Sequence, residues 1–186
     1  MTFTRRSTFV AGLALAASPL APAAEAQAFS RSGLADRGRA ALDQLYAAEP
    51  NTRFLARRAQ AVLIFPSIIK GGLIWGGESG NGVLLVRGRP QGYYNTSAAS
   101  FGLQIGGQKF SLAMFFMNDR SLGYLHRSSG FAIGTAPNIV VVNAGAAAVA
   151  NTTDLTQDVY VVPFGQKGLM AGIDIHGSKI TPIRGD

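Results

Sequence analysis

The residues of this chain that could do covalent or acid–base chemistry are few. Cysteine is absent and the histidines are two, His126 and His176, which removes thiol nucleophiles, thiolate metal sites and any three-histidine centre. Ser67-Ile68-Ile69-Lys70 has the Ser-x-x-Lys spacing of penicillin-recognising enzymes, where a helix sets the lysine one turn beyond the serine it activates. Here the segment follows Pro66, precedes Gly71-Gly72, and has no Lys-Thr-Gly or Ser-Asp-Asn companion. No Gly-x-Ser-x-Gly elbow occurs, and spacing pairs neither histidine with a nucleophile and a carboxylate. Asp154 and Asp158 read as a solvated loop rather than a glycosidase pair. The run from Gly76 to Gly82 lacks the Gly-Lys-Ser/Thr ending of a phosphate-binding loop; its Gly-Asn-Gly reads as a hairpin connection. These residues predict no enzyme, no cofactor and no metal site, with a serine acyl-enzyme on Ser67 and Lys70 as the weakest alternative.

The elements that would position these residues fall into two textures. From Ser30 to Ala48 the apolar residues Leu34, Ala41, Leu42, Leu45 and Ala48 recur on one helical face, with Asp36, Arg39 and Asp43 opposite. Glu49-Pro50-Asn51 breaks that helix, and Asn51 or Thr52 can cap a second one reaching about Val62. Beyond Ala61 come short apolar runs separated by glycine: Ala61–Phe65, Gly72–Trp75, Val83–Arg87, Phe101–Ile105, Phe110–Met117, Ile139–Asn143, Val159–Phe164 and Met170–Ile175. Such runs predict short strands in a sheet that bends strongly at its glycines. Asn118 to Arg127 is predicted as one short internal helix, with His126 near its C-terminal end. The fold class expected is α+β: two N-terminal helices packed on a strongly curved, mainly antiparallel, glycine-rich sheet or small barrel.

Residues 1–28 read as a cleavable export signal. Arg5 and Arg6 precede the apolar stretch Phe9–Ala17, and small-x-small patterns follow at Ala24-Glu25-Ala26 and Ala26-Gln27-Ala28. The apolar stretch is too short to span a membrane, and Thr4-Arg5-Arg6 suggests the twin-arginine route beside the general secretory one. Without cysteine there is no lipobox. The mature chain expected is a single domain, residues 29–186, in the periplasm or exported, peripheral to a membrane and without a lipid anchor. The whole chain carries 17 basic and 10 acidic residues, a net charge of +7 and a pI near 10.3. Residues 29–70 hold seven basic and three acidic residues, residues 71–186 eight and six, so the helices carry most of the excess. Net charge alone attracts any polyanion, but no aromatic RNA-binding motif accompanies it, and no nucleic-acid partner is expected.

Several segments, in order along the chain, carry a resemblance. They are Ala59–Pro66 (AQAVLIFP), Lys70-Gly71-Gly72, Gly80–Val86 (GNGVLLV), Gly92–Asn95 (GYYN), Ser100–Gln108 (SFGLQIGGQ), Gly165–Gly172 (GQKGLMAG) and Gly177–Ile180 (GSKI). Together they make the stretch from Phe54 to Ile183 resemble the SYLF lipid-binding family. That resemblance implies a non-enzymatic module that binds membrane lipid, helped in eukaryotic members by an amphipathic helix, with actin as a partner of some yeast members. An export signal makes actin and phosphoinositides unexpected here, and anionic phospholipids become the expected partner.

The chemistry of the residues is compatible with that implication, since basic side chains flanking an amphipathic helix can meet anionic headgroups. The candidate lipid-binding residues are Arg31, Arg37, Arg53, Arg57, Arg58 and Lys70, with Arg87 and Arg89 as a second basic hairpin. Leu34, Leu42 and Leu45 are the candidate membrane-inserting residues. The competing reading is that the helices simply pack on the sheet with their charges in water. A second class of function is an envelope structural or interaction protein that self-associates through exposed strand edges.

Overall fold

The computed structural model describes residues 30–72, 75–101, 106–127, 131–133, 138–142, 156–168 and 177–184. Helix α1 spans Arg31–Ala48, opened by Ser30, whose hydroxyl accepts the Gly33 N–H and satisfies one of the free donors of the first turn. Leu34, Ala41, Leu42 and Leu45 are buried as their spacing predicts, together with Ala35 and Gly38, whereas Ala48, predicted on the same face, is exposed in the last turn. Gly38 is there for space: a Cβ on it would stand 2.5 Å from Val83 Cγ1, so glycine lets the helix axis come close to the sheet. Helix α2 covers Thr52–Arg58 and stops short of the predicted end at Val62. Ala59 turns extended, with φ −70 and ψ 137, and the apolar run that follows finds strand partners on both sides.

That run opens β1, Ala61–Gly72, and the remaining elements are β2 (Trp75–Val86), β3 (Arg89–Phe101), β4 (Gly106–Phe116), α3 (Asp119–Arg127), β5 (Phe131–Ala132), β6 (Ile139–Val141), β7 (Val159–Gly168) and β8 (Lys179–Pro182). Among the described residues they form one eight-stranded sheet ordered β5-β8-β3-β2-β1-β4-β7-β6. Every pairing is antiparallel except that of β6 with β7. The predicted α+β class and the mainly antiparallel sheet are as observed. The hairpin connection predicted at Gly76–Gly82 is not: those residues lie inside β2, all paired with β3 and, from Gly76 to Gly80, with β1 as well. Gly82 is needed because Phe65 lies on its backbone, with a Cβ there only 2.6 Å from the ring. The predicted runs 102–105 and 170–175, and with them Asp154 and His176, lie outside the described residues.

Two apolar cores sandwich the sheet. One lies under α1 and α2, from Leu34, Leu42, Leu45 and Leu55 onto Ile64, Val83, Phe115 and Val162. The other lies on the opposite face, where Leu125 of α3 meets Leu63, Phe65, Leu84, Phe110 and Phe116. Asp158, read from sequence as solvated, ties this face together. Its carboxylate accepts the side-chain amides of Asn118 at 2.6 Å and Asn138 at 3.2 Å, while Asn118 caps α3 through the Ser121 N–H.

One irregularity governs where side chains point. Between Phe65 and Ile68, β1 carries one residue more than either neighbouring strand, a bulge shared by both registers. Proline has no N–H to lose from a ladder and is tolerated there; the Pro66 carbonyl is taken up by the Ser111 hydroxyl at 2.9 Å. Side chains alternate along a strand, so one extra residue exchanges the two faces for everything beyond it.

Candidate functional site

A cleft of about 550 Å³ opens between α1, α2 and the β2–β3 end of the sheet. Its wall is apolar, from Leu42 and Tyr46 of α1, Ala56 of α2, Val62 of β1 and Leu85 of β2. Three arginines line it, Arg39, Arg57 and Arg87, with Asp43 as the carboxylate among the lining residues. Arg39 also holds Asp36 at 3.0 Å, an exposed pair one helical turn apart that contributes little to stability. At the mouth, the Arg53 guanidinium stacks over the Tyr46 ring at 5.2 Å. Burial pushes the Tyr46 phenol up, with Arg53 pulling it back and Asp43 adding to the rise, so it remains a neutral hydrogen-bonding group.

Each arginine arrives by a different route. Arg57 ends the short helix α2, and Arg39 shares one flank of α1 with Asp43 and Tyr46 through the helical repeat. Arg87 sits in the two-residue turn between β2 and β3 with φ +50, one of two positive-φ residues other than glycine among those described. Arginine with an apolar wall behind it can hold a phosphate or carboxylate bidentately while a hydrocarbon tail lies along the wall.

The remaining predicted residues are dispersed. Arg31 lies over the Tyr93 ring at 5.7 Å and Arg58 over Phe54 at 4.1 Å; Arg37 and Arg89 are exposed on α1 and at the start of β3. Lys70 does not reach the surface with them: only 8% exposed, it faces the α3 side, opposite Glu78 on β2 and Gln108 on β4. The bulge turned it inward. Ser178 donates to Glu78 in the same buried row. Leu34, Leu42 and Leu45, predicted to insert into a membrane, are core residues at 7% exposure or less. Inserting them would require α1 to leave the sheet, so the competing reading, a docked helix with its charges in water, describes the folded domain.

The catalytic alternative finds no geometry. Ser67 and Lys70 stand three apart on a strand and therefore point to opposite faces, where the acyl-enzyme motif needs one helical turn. His126 is exposed on α3, its Nδ1 3.2 Å from the Tyr94 hydroxyl, and burial raises the Tyr94 phenol.

Sequence reasoning missed three lysines, Lys109 on β4, Lys167 on β7 and Lys179 on β8, all exposed. Nothing in their spacing links them; only strand register brings them into line. No helix among the described residues is long and apolar enough to cross a membrane.

Residues 97–185 match the family model Ysc84, described as a Las17-binding protein actin regulator. No curated protein matches the chain. The matched segment runs from β3 to the end of β8 and contains the three lysines, while the cleft arginines lie upstream of it.

Proposed function

We propose, from the match of residues 97–185 to the Ysc84 family model and the resemblance of the wider stretch to the SYLF family, that the chain is a non-enzymatic, membrane-peripheral protein that binds anionic phospholipid. Its place is the bacterial envelope, reached by export on residues 1–28, with residues 29–186 as one mature domain. The observation that carries this reading is the convergence of Arg39, Arg57 and Arg87 on a cleft with an apolar wall. A phospholipid has the matching halves, a phosphodiester for the guanidinium groups and a glyceride for Leu42, Val62 and Leu85. Arg31, Arg37, Arg53, Arg58 and Arg89 add to the attraction by long-range field rather than by contact. α1 stays docked in this reading, and its leucines hold the fold instead of entering lipid. An exported chain does not meet actin, so the actin-linked activity in the family's description is not carried over.

The test is co-sedimentation of the protein with neutral phosphatidylcholine vesicles and with vesicles containing phosphatidylglycerol. Recovery is expected to rise with the anionic lipid and to fall with salt, and Arg57→Gln is expected to weaken it about fivefold at low salt. Equal recovery with both vesicles sinks the reading. Light scattering without lipid addresses the protein-interaction alternative, which calls for oligomers where the lipid reading does not.

A further inference from the structure

α1 and α2 cover only part of their side of the sheet. Beyond them, on the same side, the strand registers assemble a single crosswise row: Lys167 opposite Lys109, Lys109 opposite Ile69, Ile69 opposite Ser79, Ser79 opposite Ser97, and Ser97 opposite Lys179. Six strands contribute one residue each, and all six residues are exposed. At the usual strand spacing the row is about 24 Å long. The positions next to it, Gly107, Gly71, Gly77 and Ala99, are also in register and bear almost no side chain.

From this row we infer that the open half of the α1 side is a membrane-docking face, in which Lys109, Lys167 and Lys179 meet anionic headgroups and Ile69 enters the interface. The inference rests on the anionic-lipid reading above and gives it a second surface and an orientation. Three features support it. Ile69 is 63% exposed, a large aliphatic group in water at the centre of a cationic row. Lys109 and Lys167 stand directly opposite one another, an arrangement that repels in an isolated sheet and is relieved by a layer of negative charge. Among the described residues no carboxylate stands in this row: Glu78 points to the other side, Asp36 and Asp43 belong to α1, and Glu49, the α1 cap, borders the face in the groove against Phe164–Gln166. The low relief left by glycine, alanine and serine lets a flat, mobile surface come close to all three lysines at once.

By helical periodicity Arg37 shares a flank of α1 with Gln44 and Ala48, and those two line a groove against Phe164–Gln166, next to Lys167. Arg37 therefore borders the open face, while Arg39 borders the cleft. The two basic surfaces lie on either side of α1, so a bilayer against the lysine row leaves the cleft at its margin, within reach of a lipid drawn partly out of the leaflet.

The absence of native cysteine makes the test direct. An environment-sensitive fluorophore is placed at Ile69→Cys and, as a control on the other side of the sheet, at Tyr124→Cys. Phosphatidylglycerol-containing vesicles are expected to brighten and blue-shift the first label and leave the second unchanged. In parallel, Lys109→Gln/Lys167→Gln/Lys179→Gln is expected to bind those vesicles about 100-fold more weakly at low salt, about fivefold for each lysine. A silent label at position 69, or undiminished binding by the triple variant, overturns the inference while wild-type binding keeps the lipid reading standing. Wild-type recovery no better with phosphatidylglycerol than with phosphatidylcholine overturns both. Should the triple variant fail to fold by circular dichroism, the label decides, because it leaves every lysine in place.

Discussion

Replacing Arg87 by asparagine should make the protein more stable and a poorer binder. Arg87 and Gly88 form the two-residue turn between β2 and β3, with φ +50 and +76 and with Val86 and Arg89 as register partners. Two positive φ values in a two-residue hairpin mark the mirror-image type I turn, whose favoured sequence is Asn-Gly. The left-handed region costs an ordinary L-residue about 1–2 kcal/mol, and asparagine recovers part of that by bonding locally. Arg87→Asn is therefore worth about 1 kcal/mol of stability, or about 2–4 °C in Tm at this chain length. The same change removes a cation from the cleft and lowers affinity for phosphatidylglycerol vesicles about fivefold at low salt. Thermal melting and co-sedimentation on the same preparations read both effects, and Arg87→Lys, which keeps charge and strain but loses the bidentate fork, should leave the melt unchanged and weaken binding less than Arg87→Asn. A more stable variant that binds undiminished refutes a role for Arg87 in binding. An Arg87→Asn protein that melts no higher refutes the strain.

Gly38→Ala provides a sign test for the docking of α1. Alanine favours an isolated helix by about 1 kcal/mol, whereas a Cβ 2.5 Å from Val83 Cγ1 overpacks the interface by about 1–3 kcal/mol; urea unfolding should show a net loss, and a gain would mean the helix is not seated as described. The Tyr94 phenol, raised above its ordinary 10.0 by burial, should appear late in an ultraviolet tyrosinate titration. A group raised in the folded state contributes stability that is intact below 10.0 and is lost as pH climbs through the higher folded value. Unfolding midpoints should therefore hold steady up to about pH 10 and fall above it, and a Tyr94→Phe variant should lose less in that range.

How much was legible beforehand depended on whether the signal was local. α1 was readable almost to the residue, because Leu34, Ala41, Leu42 and Leu45 repeat at the helical period and Ser30 stands where a cap is needed. β4 and β7 were readable as apolar runs. β2 was readable only from Val83 on: Gly80 and Gly82 look like turn chemistry, yet they are glycine because Ile68 and Phe65 pack onto their backbones, a requirement set by a neighbouring strand. Arg57 and Arg87 were recognisable as basic residues, but their convergence on one cleft depends on how α2 meets a hairpin end. The row of Lys109, Lys167 and Lys179 was invisible for the same reason, since residues dozens of positions apart become neighbours only through register.

The bulge in β1 has an energetic consequence of its own. Were β1 regular through Pro66 and Ser67, Ile69 would face the α3 core and Lys70 would face water. Ile68, now buried, would turn outward in exchange for Ile69, so apolar burial is about equal in the two registers and what the observed one adds is the enclosed ammonium group of Lys70. The Ser111 hydroxyl on the bulged carbonyl and the buried row of Glu78, Gln108 and Ser178 then act as a lock against a competitor that is better by composition. β1 is thus a locally frustrated segment in an otherwise consistent sheet, the kind of conflict that persists where function opposes folding. Loss of a single residue at the bulge would instead leave Ile69 on the open face and Lys70 inside, because the pairings on either side of it would then run on without a shift.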